Sequence, residues 1–134
     1  MATKFDSATT LKALISHHVA MINRFEAHSF EEFALLFLKI DNVKNINSLE
    51  IKKSIQIIFR DSDIIFEHEG NYIILLPKTN WNGAIELIQG LQNFLNQEFL
   101  DSVITYPDDG KNADELINSL SKMVEKYYKI KLNF

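Results

Sequence analysis

Apolar residues recur with helical spacing in four segments of the chain, and we interpret each segment as an amphipathic helix. Six positions near the N-terminus share one face and predict a helix over about residues 7–26: Leu11, Leu14, Ile15, Val19, Ile22 and Phe25. The same periodicity predicts helices over residues 49–59, 82–97 and 112–128. In the last two helices the inward stripes are predicted to be Ala84, Ile88, Leu91 and Leu95, and then Leu116, Leu120, Met123 and Tyr127.

Shorter apolar runs between these helices predict strands. Residues 33–40 (FALLFLKI) are almost continuously apolar, and the length of the run favours a buried central strand over a helix. Residues 64–66 and 72–76 flank a polar segment with a glycine and predict a β-hairpin. Residues 102–106 predict a short strand that ends at a Pro-Asp-Asp-Gly turn, and residues 129–134 are a candidate closing strand.

The order of these elements indicates the fold class. Helices alternate with strands along the whole chain, and this alternation is typical of an α/β architecture. The 134 residues include no linker rich in Pro, Ser or Gly, and a chain of this length can bury a single core. We therefore predict one domain over residues 1–134, a compact α/β sandwich whose mixed central sheet is flanked by helices.

Composition excludes several classes of function. The chain has no Cys, which rules out disulfides, thiolate metal sites and cysteine nucleophiles. Its net charge of −4 argues against a general binder of nucleic acid or anionic membranes. No apolar run approaches the length of a membrane-spanning helix, and the N-terminus does not resemble a signal peptide. We expect a cytoplasmic protein without membrane insertion.

Six short motifs occur in an order and spacing that point to one protein family. They are residues 6–11 (DSATTL), 38–48 (LKIDNVKNINS), 60–63 (RDSD), 69–73 (EGNYI), 75–79 (LLPKT) and 102–110 (SVITYPDDG). Taken together, the chain resembles the GGDEF (diguanylate cyclase) domain family of bacterial cyclic di-GMP signalling. The resemblance covers nearly the whole chain and implies a shortened GGDEF-like, nucleotidyl-cyclase-like fold.

The positions that hold metal ions in such a cyclase carry other residue types here. Family members condense two GTP molecules into cyclic di-GMP, and metal ions neutralise charge during phosphoryl transfer. Where the resemblance places the first metal-binding Asp, the chain has Lys39, whose ammonium cannot ligate Mg²⁺. The two acidic signature positions fall on Asn71 and Tyr72, or in a second register on Gly70 and Asn71. In the first register, Glu69 also replaces the first signature glycine.

Three further positions of the expected site keep polar residues. Asp41 matches the second Asp of the family's D-x-D motif. Lys44 and Asn47 match positions that contact phosphate and base in the family. A segment of the family pattern that follows Asn47 is missing. These residues alone cannot run phosphoryl transfer, so we expect a catalytically inactive domain, with no catalytic residues and no resident metal or cofactor.

The motif Arg60-x-x-Asp63 matches the inhibitory cyclic di-GMP site of the family. A guanidinium can donate to the O6/N7 edge of guanine or to phosphate, and a carboxylate can accept from guanine N–H groups. A structural interpretation stays open beside this one. Arg60 can complement the dipole of the helix that it ends, and Arg60 and Asp63 can pair with each other.

We expect a degenerate GGDEF-like domain that acts as a regulatory or adaptor protein through protein–protein contacts, with the first helix as a contact element. The alternative is a cyclic di-GMP receptor that uses Arg60 and Asp63, as a dimer of two copies. A third hypothesis is that Lys39 and Lys44 hold GTP without turnover. The expected partners are therefore a protein that the sequence does not identify, then cyclic di-GMP, and not nucleic acid.

Overall fold

The computed structural model describes residues 5–7, 10–25, 32–39, 48–68, 70–95 and 98–132. Five strands and four helices occur in these ranges: β1 (Phe5–Ser7), α1 (Leu11–Phe25), β2 (Phe33–Leu38), α2 (Ser48–Ile58), β3 (Ile64–His68), β4 (Asn71–Pro77), α3 (Trp81–Leu95), β5 (Val103–Tyr106) and α4 (Ala113–Tyr128). None of these helices is long and apolar enough to cross a membrane.

The strands form one sheet in the order β1-β3-β4-β2-β5. Strand β1 is parallel to β3, and the other neighbouring strands are antiparallel, so the sheet is mixed, as predicted. Elements β2 to β5 form a βαββαβ unit, in which β2 and β4 are the inner strands. The β2–β4 ladder pairs Phe33 with Pro77 at one end and Leu38 with Tyr72 at the other.

Strand β2 is buried on both faces. All six of its side chains are buried, and they alternate between two apolar clusters. Ala34, Leu36 and Leu38 pack in the cluster that includes α2 and α3. The residues between them, including Leu35 and Phe37, pack in the cluster that includes α1 and α4. Because both faces are covered, the strand reads as a continuous apolar run, and its prediction as a strand is confirmed.

The helices bury most described positions of their predicted stripes. In α1, Leu14 is half-buried, and the side chain of Phe25 lies outside the described residues. The predicted stripe of α3 is fully confirmed: Ala84, Ile88, Leu91 and Leu95 are all buried. In α4 the buried stripe instead ends at Val124, and the predicted core residue Tyr127 is exposed. Its neighbour Tyr128 is half-buried, and its ring lies 5.5 Å from that of Phe37. The prediction failed because it shifted the stripe by one residue within the last turn.

The N-terminal segment differs from the predicted helix over residues 7–26. Residues 5–7 form strand β1, and the helix begins at Leu11, while residue 26 lies outside the described residues. A three-residue strand is too short to show an alternating pattern, and it forms here because it pairs with the open edge of β3. At the other terminus, residues 129–132 are not a strand, and Ile130 and Leu132 pack against the α1/α4 cluster.

A turn over residues 107–110 connects β5 to α4, as the Pro-Asp-Asp-Gly motif predicts. The backbone N–H of Asp109 donates to the Thr105 carbonyl at 2.8 Å, and the Thr105 N–H donates to Asp109 Oδ2 at 2.8 Å. Ser119 Oγ donates to the Asp109 carbonyl at 2.6 Å. A Cβ at Gly110 would lie 2.8 Å from the backbone nitrogen of Leu116, so the turn packs too closely against α4 for a side chain.

The start of α4 follows a sequence signal that is also confirmed. Asn112 and Glu115 have the spacing of a capping box. In the structure, Asn112 is the N-cap, and its Oδ1 accepts from the Glu115 backbone N–H at 2.9 Å. The Asn112 amide also donates to the Glu115 carboxylate at 3.3 Å. These contacts satisfy a backbone donor that the helix itself leaves without a partner.

Truncation of Leu36 to alanine tests the central position of β2. We expect the free energy of unfolding to fall by about 2–5 kcal/mol, because a fully buried leucine leaves a cavity between packed layers. Ile57→Ala is the matched control. The Ile57 side chain is 58% exposed on α2, and its loss should change stability by less than about 1 kcal/mol. Denaturant unfolding measures both values, and equal effects would contradict the central role of β2.

Candidate functional site

One end of the sheet collects the described positions of the expected cyclase centre. Lys39 follows the last residue of β2, and Asn71 and Tyr72 begin β4, which pairs with that end of β2. Gly70 lies in the turn that connects β3 to β4 and has a φ of 80°, a conformation that glycine adopts without strain. Four sequence-predicted positions are therefore brought together here. The others, Asp41, Lys44, Asn47 and Glu69, lie outside the described residues.

Of these four positions, Lys39, Asn71 and Tyr72 carry side chains. Tyr72 is only 5% exposed and packs in the cluster with α2 and α3, so its side chain belongs to the core. Lys39 and Asn71 are half-buried. None of the three carries a carboxylate, the ligand type that Mg²⁺ prefers. Within the described residues, no group of three or more His, Asp or Glu side chains is placed to hold one metal ion.

Arg60 and Asp63 lie in the tight turn between α2 and β3. The Asp63 backbone N–H donates to the Arg60 carbonyl at 2.9 Å, and the Arg60 backbone N–H donates to Asp63 Oδ2 at 2.7 Å. The Arg60 side chain returns to the same carboxylate, with Nη2 2.8 Å from Oδ1 and Nε 3.2 Å from both oxygens. The Asp63 side chain is fully buried, so its oxygens are committed to this one partner.

The same guanidinium extends to the turn between β4 and α3. Arg60 Nη2 donates to Thr79 Oγ1 at 2.7 Å and to the Pro77 carbonyl at 3.2 Å. The Thr79 hydroxyl in turn donates to the Pro77 carbonyl at 2.9 Å. One arginine thus joins the end of α2, the start of β3 and the end of β4. The structural interpretation of the R-x-x-D motif therefore has a direct geometric basis.

A surface pocket of about 300 Å³ lies beside this network. Its charged lining residues are Arg60, Lys78 and Glu32, and Arg60 is 47% exposed. The N-terminus of α3 closes one side. There, the Gly83 backbone N–H donates to Asn80 Oδ1 at 2.8 Å, which makes Asn80 the capping residue. The pocket is at the opposite end of β2 and β4 from Lys39 and Tyr72, because Glu32 and Lys78 flank the Phe33–Pro77 pair.

Sequence reasoning identified Arg60 but missed the rest of this pocket. Asn80 before a helical stripe was a recognisable capping signal. Glu32 gave no signal, since it approaches Lys78 only through the register of two strands that are far apart in sequence. The two adjacent histidines of α1 do not lie in this pocket, and His17 is exposed. His18 packs edge-on against Phe33 with ring centroids 4.8 Å apart.

Comparison with known proteins adds a fold-level finding. No model of a protein family matches the sequence, and no curated protein matches it significantly. A sensory box/GGDEF family protein from Caulobacter crescentus CB15, known from its crystal structure, superposes with a TM-score of 0.68. The match covers 92% of each chain at 16% sequence identity. The fold is GGDEF-like.

This GGDEF-like fold confirms the predicted fold class of an α/β sandwich with a mixed sheet. An identity of 16% shows the fold alone and carries no activity from one chain to the other. What the domain does must therefore be argued from its own residues.

Replacement of Arg60 by alanine tests the structural role of the arginine. We expect the free energy of unfolding to fall by about 2–3 kcal/mol, because Asp63 would keep a buried charge without its partner. This expected loss is smaller than for a fully buried ion pair, because the guanidinium is half-exposed. Lys111→Ala is the control. It removes an exposed cation just before α4 and should leave the free energy of unfolding nearly unchanged.

A second substitution separates the buried charge from lost packing. Adding Asp63→Asn to Arg60→Ala should recover part of the stability, since the carboxylate is then neutral. Urea denaturation of the unmodified protein and the three variants measures these differences. The structural role is wrong if Arg60→Ala is as harmless as Lys111→Ala.

Proposed function

We propose that this chain is a catalytically inactive GGDEF-like domain that acts as a regulatory or adaptor protein through protein–protein contacts. The observation that carries the proposal is the contrast between the framework and its centre. The βαββαβ framework is well packed around two apolar clusters. The end of the sheet where the resemblance places a metal centre presents Lys39, Asn71 and Tyr72.

Tyr72 gives the strongest argument against turnover. In one register of the signature it stands at the position of a metal-binding Glu, yet its side chain packs inside the core. In the other register the two acidic positions are Gly70 and Asn71. Neither register supplies a carboxylate to a metal ion that must neutralise charge on a transferring phosphoryl group. Lys39 supplies a cation where a ligand carboxylate is expected.

The outer face of α1 supports the adaptor part of the proposal. Its inner face is buried through Leu11, Ile15, Val19 and Ile22. The exposed positions of α1 include the small residues Ala13, Ser16 and Ala20, and also Lys12, His17 and Arg24. Met21 is 41% exposed. The small side chains lose little conformational entropy when another helix packs on them. Lys12 forms an exposed ion pair with Asp114 of α4 at 2.7 Å, a contact of a kind that contributes little to stability.

The alternative function, a cyclic di-GMP receptor, has mixed support. The half-exposed Arg60 beside a pocket favours it. Against it, Asp63 is fully buried and already accepts three donors of Arg60. A guanine base would have to displace these hydrogen bonds before the carboxylate could accept its N–H groups. We therefore rank this alternative second.

An assay with GTP tests the catalytic half of the proposal. Purified protein incubated with GTP and Mg²⁺ or Mn²⁺ should release no pyrophosphate and form no cyclic di-GMP above a buffer control, because the expected metal ligands are replaced. Chromatography of the nucleotides measures the products. Turnover that disappears in Lys39→Ala or Asn71→Ala would contradict the proposal, since these side chains would then act in the reaction.

Capture of partners from a lysate of the source cell tests the adaptor half. A protein that co-purifies with the unmodified chain should be reduced about tenfold or more by Ala20→Arg, which places a long cation on the outer face of α1. Asn118→Arg, at an exposed position of α4, is the matched control and should leave capture unchanged. Equal loss in both variants, or no specific partner, would count against α1 as the contact element.

A further inference from the structure

The pocket beside Arg60 is lined by one cation, Lys78, and one anion, Glu32, that have no partner among the described residues. Within the described part of the chain, neither the Lys78 ammonium nor the Glu32 carboxylate makes a hydrogen bond or an ion pair. Arg60 uses Nε and Nη2 in its network, and Nη1 donates no hydrogen bond to any described residue. Lys78 and Glu32 thus line the same cavity as unpaired charges of opposite sign. Beside them lies Arg60, which is ion-paired with Asp63 and offers only Nη1 to a ligand.

The walls of the pocket add shape to this charge pattern. Leu87 and Gly83 form an apolar side on α3, and Asn80 caps the helix end next to them. Lys78 has a φ of 50°, a left-handed conformation that is unfavourable for a lysine and that recurs at ligand-binding sites. Its neighbours hold it there, because Arg60 and Thr79 both donate to the Pro77 carbonyl. The volume of about 300 Å³ is at the lower end for ligand pockets and suits a small molecule.

We propose that this pocket binds a small zwitterion of the α-amino acid class. The carboxylate of the ligand is placed against Arg60 Nη1 and the Lys78 ammonium, and its ammonium group against Glu32. A short apolar side chain then contacts Leu87. Such a ligand meets each unpartnered charge with its opposite, and it brings no net charge into the pocket.

Other ligand classes fit these groups less well. A polyphosphate or a nucleotide would bring its negative charge next to Glu32, and like charges at close range are unfavourable. A diamine would bring its second positive charge next to Arg60 and Lys78, which is unfavourable for the same reason. The carboxylate of Asp63 is buried and already accepts hydrogen bonds from Arg60, so it is not available to accept hydrogen bonds from a nucleotide base. The inference does not depend on the proposed adaptor function, because the contact element of that function is α1 and no described residue of α1 lines the pocket.

Calorimetric titration with the proteinogenic L-amino acids, each offered separately, tests the proposal. We expect binding by at least one amino acid with a small or medium apolar side chain, such as L-leucine. L-leucinamide lacks the carboxylate, and N-acetyl-L-leucine lacks the ammonium group. Each analogue should bind about tenfold or more weakly, because each leaves a charged group of the pocket without its partner.

Variants of the pocket assign the two contacts. Glu32→Gln should weaken L-leucine about tenfold and have little effect on N-acetyl-L-leucine, because the acetylated ligand has no ammonium group for Glu32 to meet. Lys78→Gln should weaken L-leucine but leave L-leucinamide unchanged for the same reason. Glu125→Gln and Lys122→Gln remove equivalent charges from the exposed surface of α4 and should not alter binding.

Three outcomes would overturn the proposal. One is that no amino acid binds at millimolar concentration while the protein is folded by circular dichroism. Another is that the neutralised analogues bind as well as the parent amino acid. The last is that cyclic di-GMP binds instead and binds more tightly to Glu32→Gln, which would make the pocket a nucleotide site that tolerates the glutamate.

Discussion

The burial of strand β2 on both faces is the constraint on which the rest of the structure depends. A backbone with apolar layers above and below cannot reach water, so its N–H and C=O groups must pair within the sheet. Strands β4 and β5 provide that pairing on its two sides. Two helices then have to cover each face, and the helical stripes of the sequence supply them. The three-layer arrangement follows from one apolar strand.

This constraint also separates the two regions where function is expected. Strand β2 has polar residues only at its ends: Glu32 precedes it and Lys39 follows it. The antiparallel register with β4 places Lys39 near Asn71 and Glu32 near Lys78. The end of the sheet at Lys39 and the charged pocket are therefore joined by a fully buried strand.

Local signals in the sequence predicted local structure well. The inward stripe of α3 and the cap at Asn112 were both recoverable, because periodicity and capping depend on neighbours a few residues apart. The features that were missed depend on distant pairing. Strand β1 exists only because β3 offers an edge, and the link from Arg60 to Thr79 exists only because two turns meet across the sheet. The prediction that Tyr127 is buried was wrong for a smaller reason, a shift of the buried stripe by one residue at the end of α4.

The two backbone groups of Thr105 that are bonded to Asp109 affect how the edge of the sheet can pair with another strand. Edge strands are templates on which further strands can grow, because their outward N–H and C=O groups are open. At β5 both outward groups of Thr105 are already bonded to one residue, the N–H to the Asp109 carboxylate and the C=O to its backbone N–H. An incoming strand would have to break these bonds, and the turn is further fastened to α4 by Ser119. Thr105 is therefore a position on this edge at which strand addition is opposed.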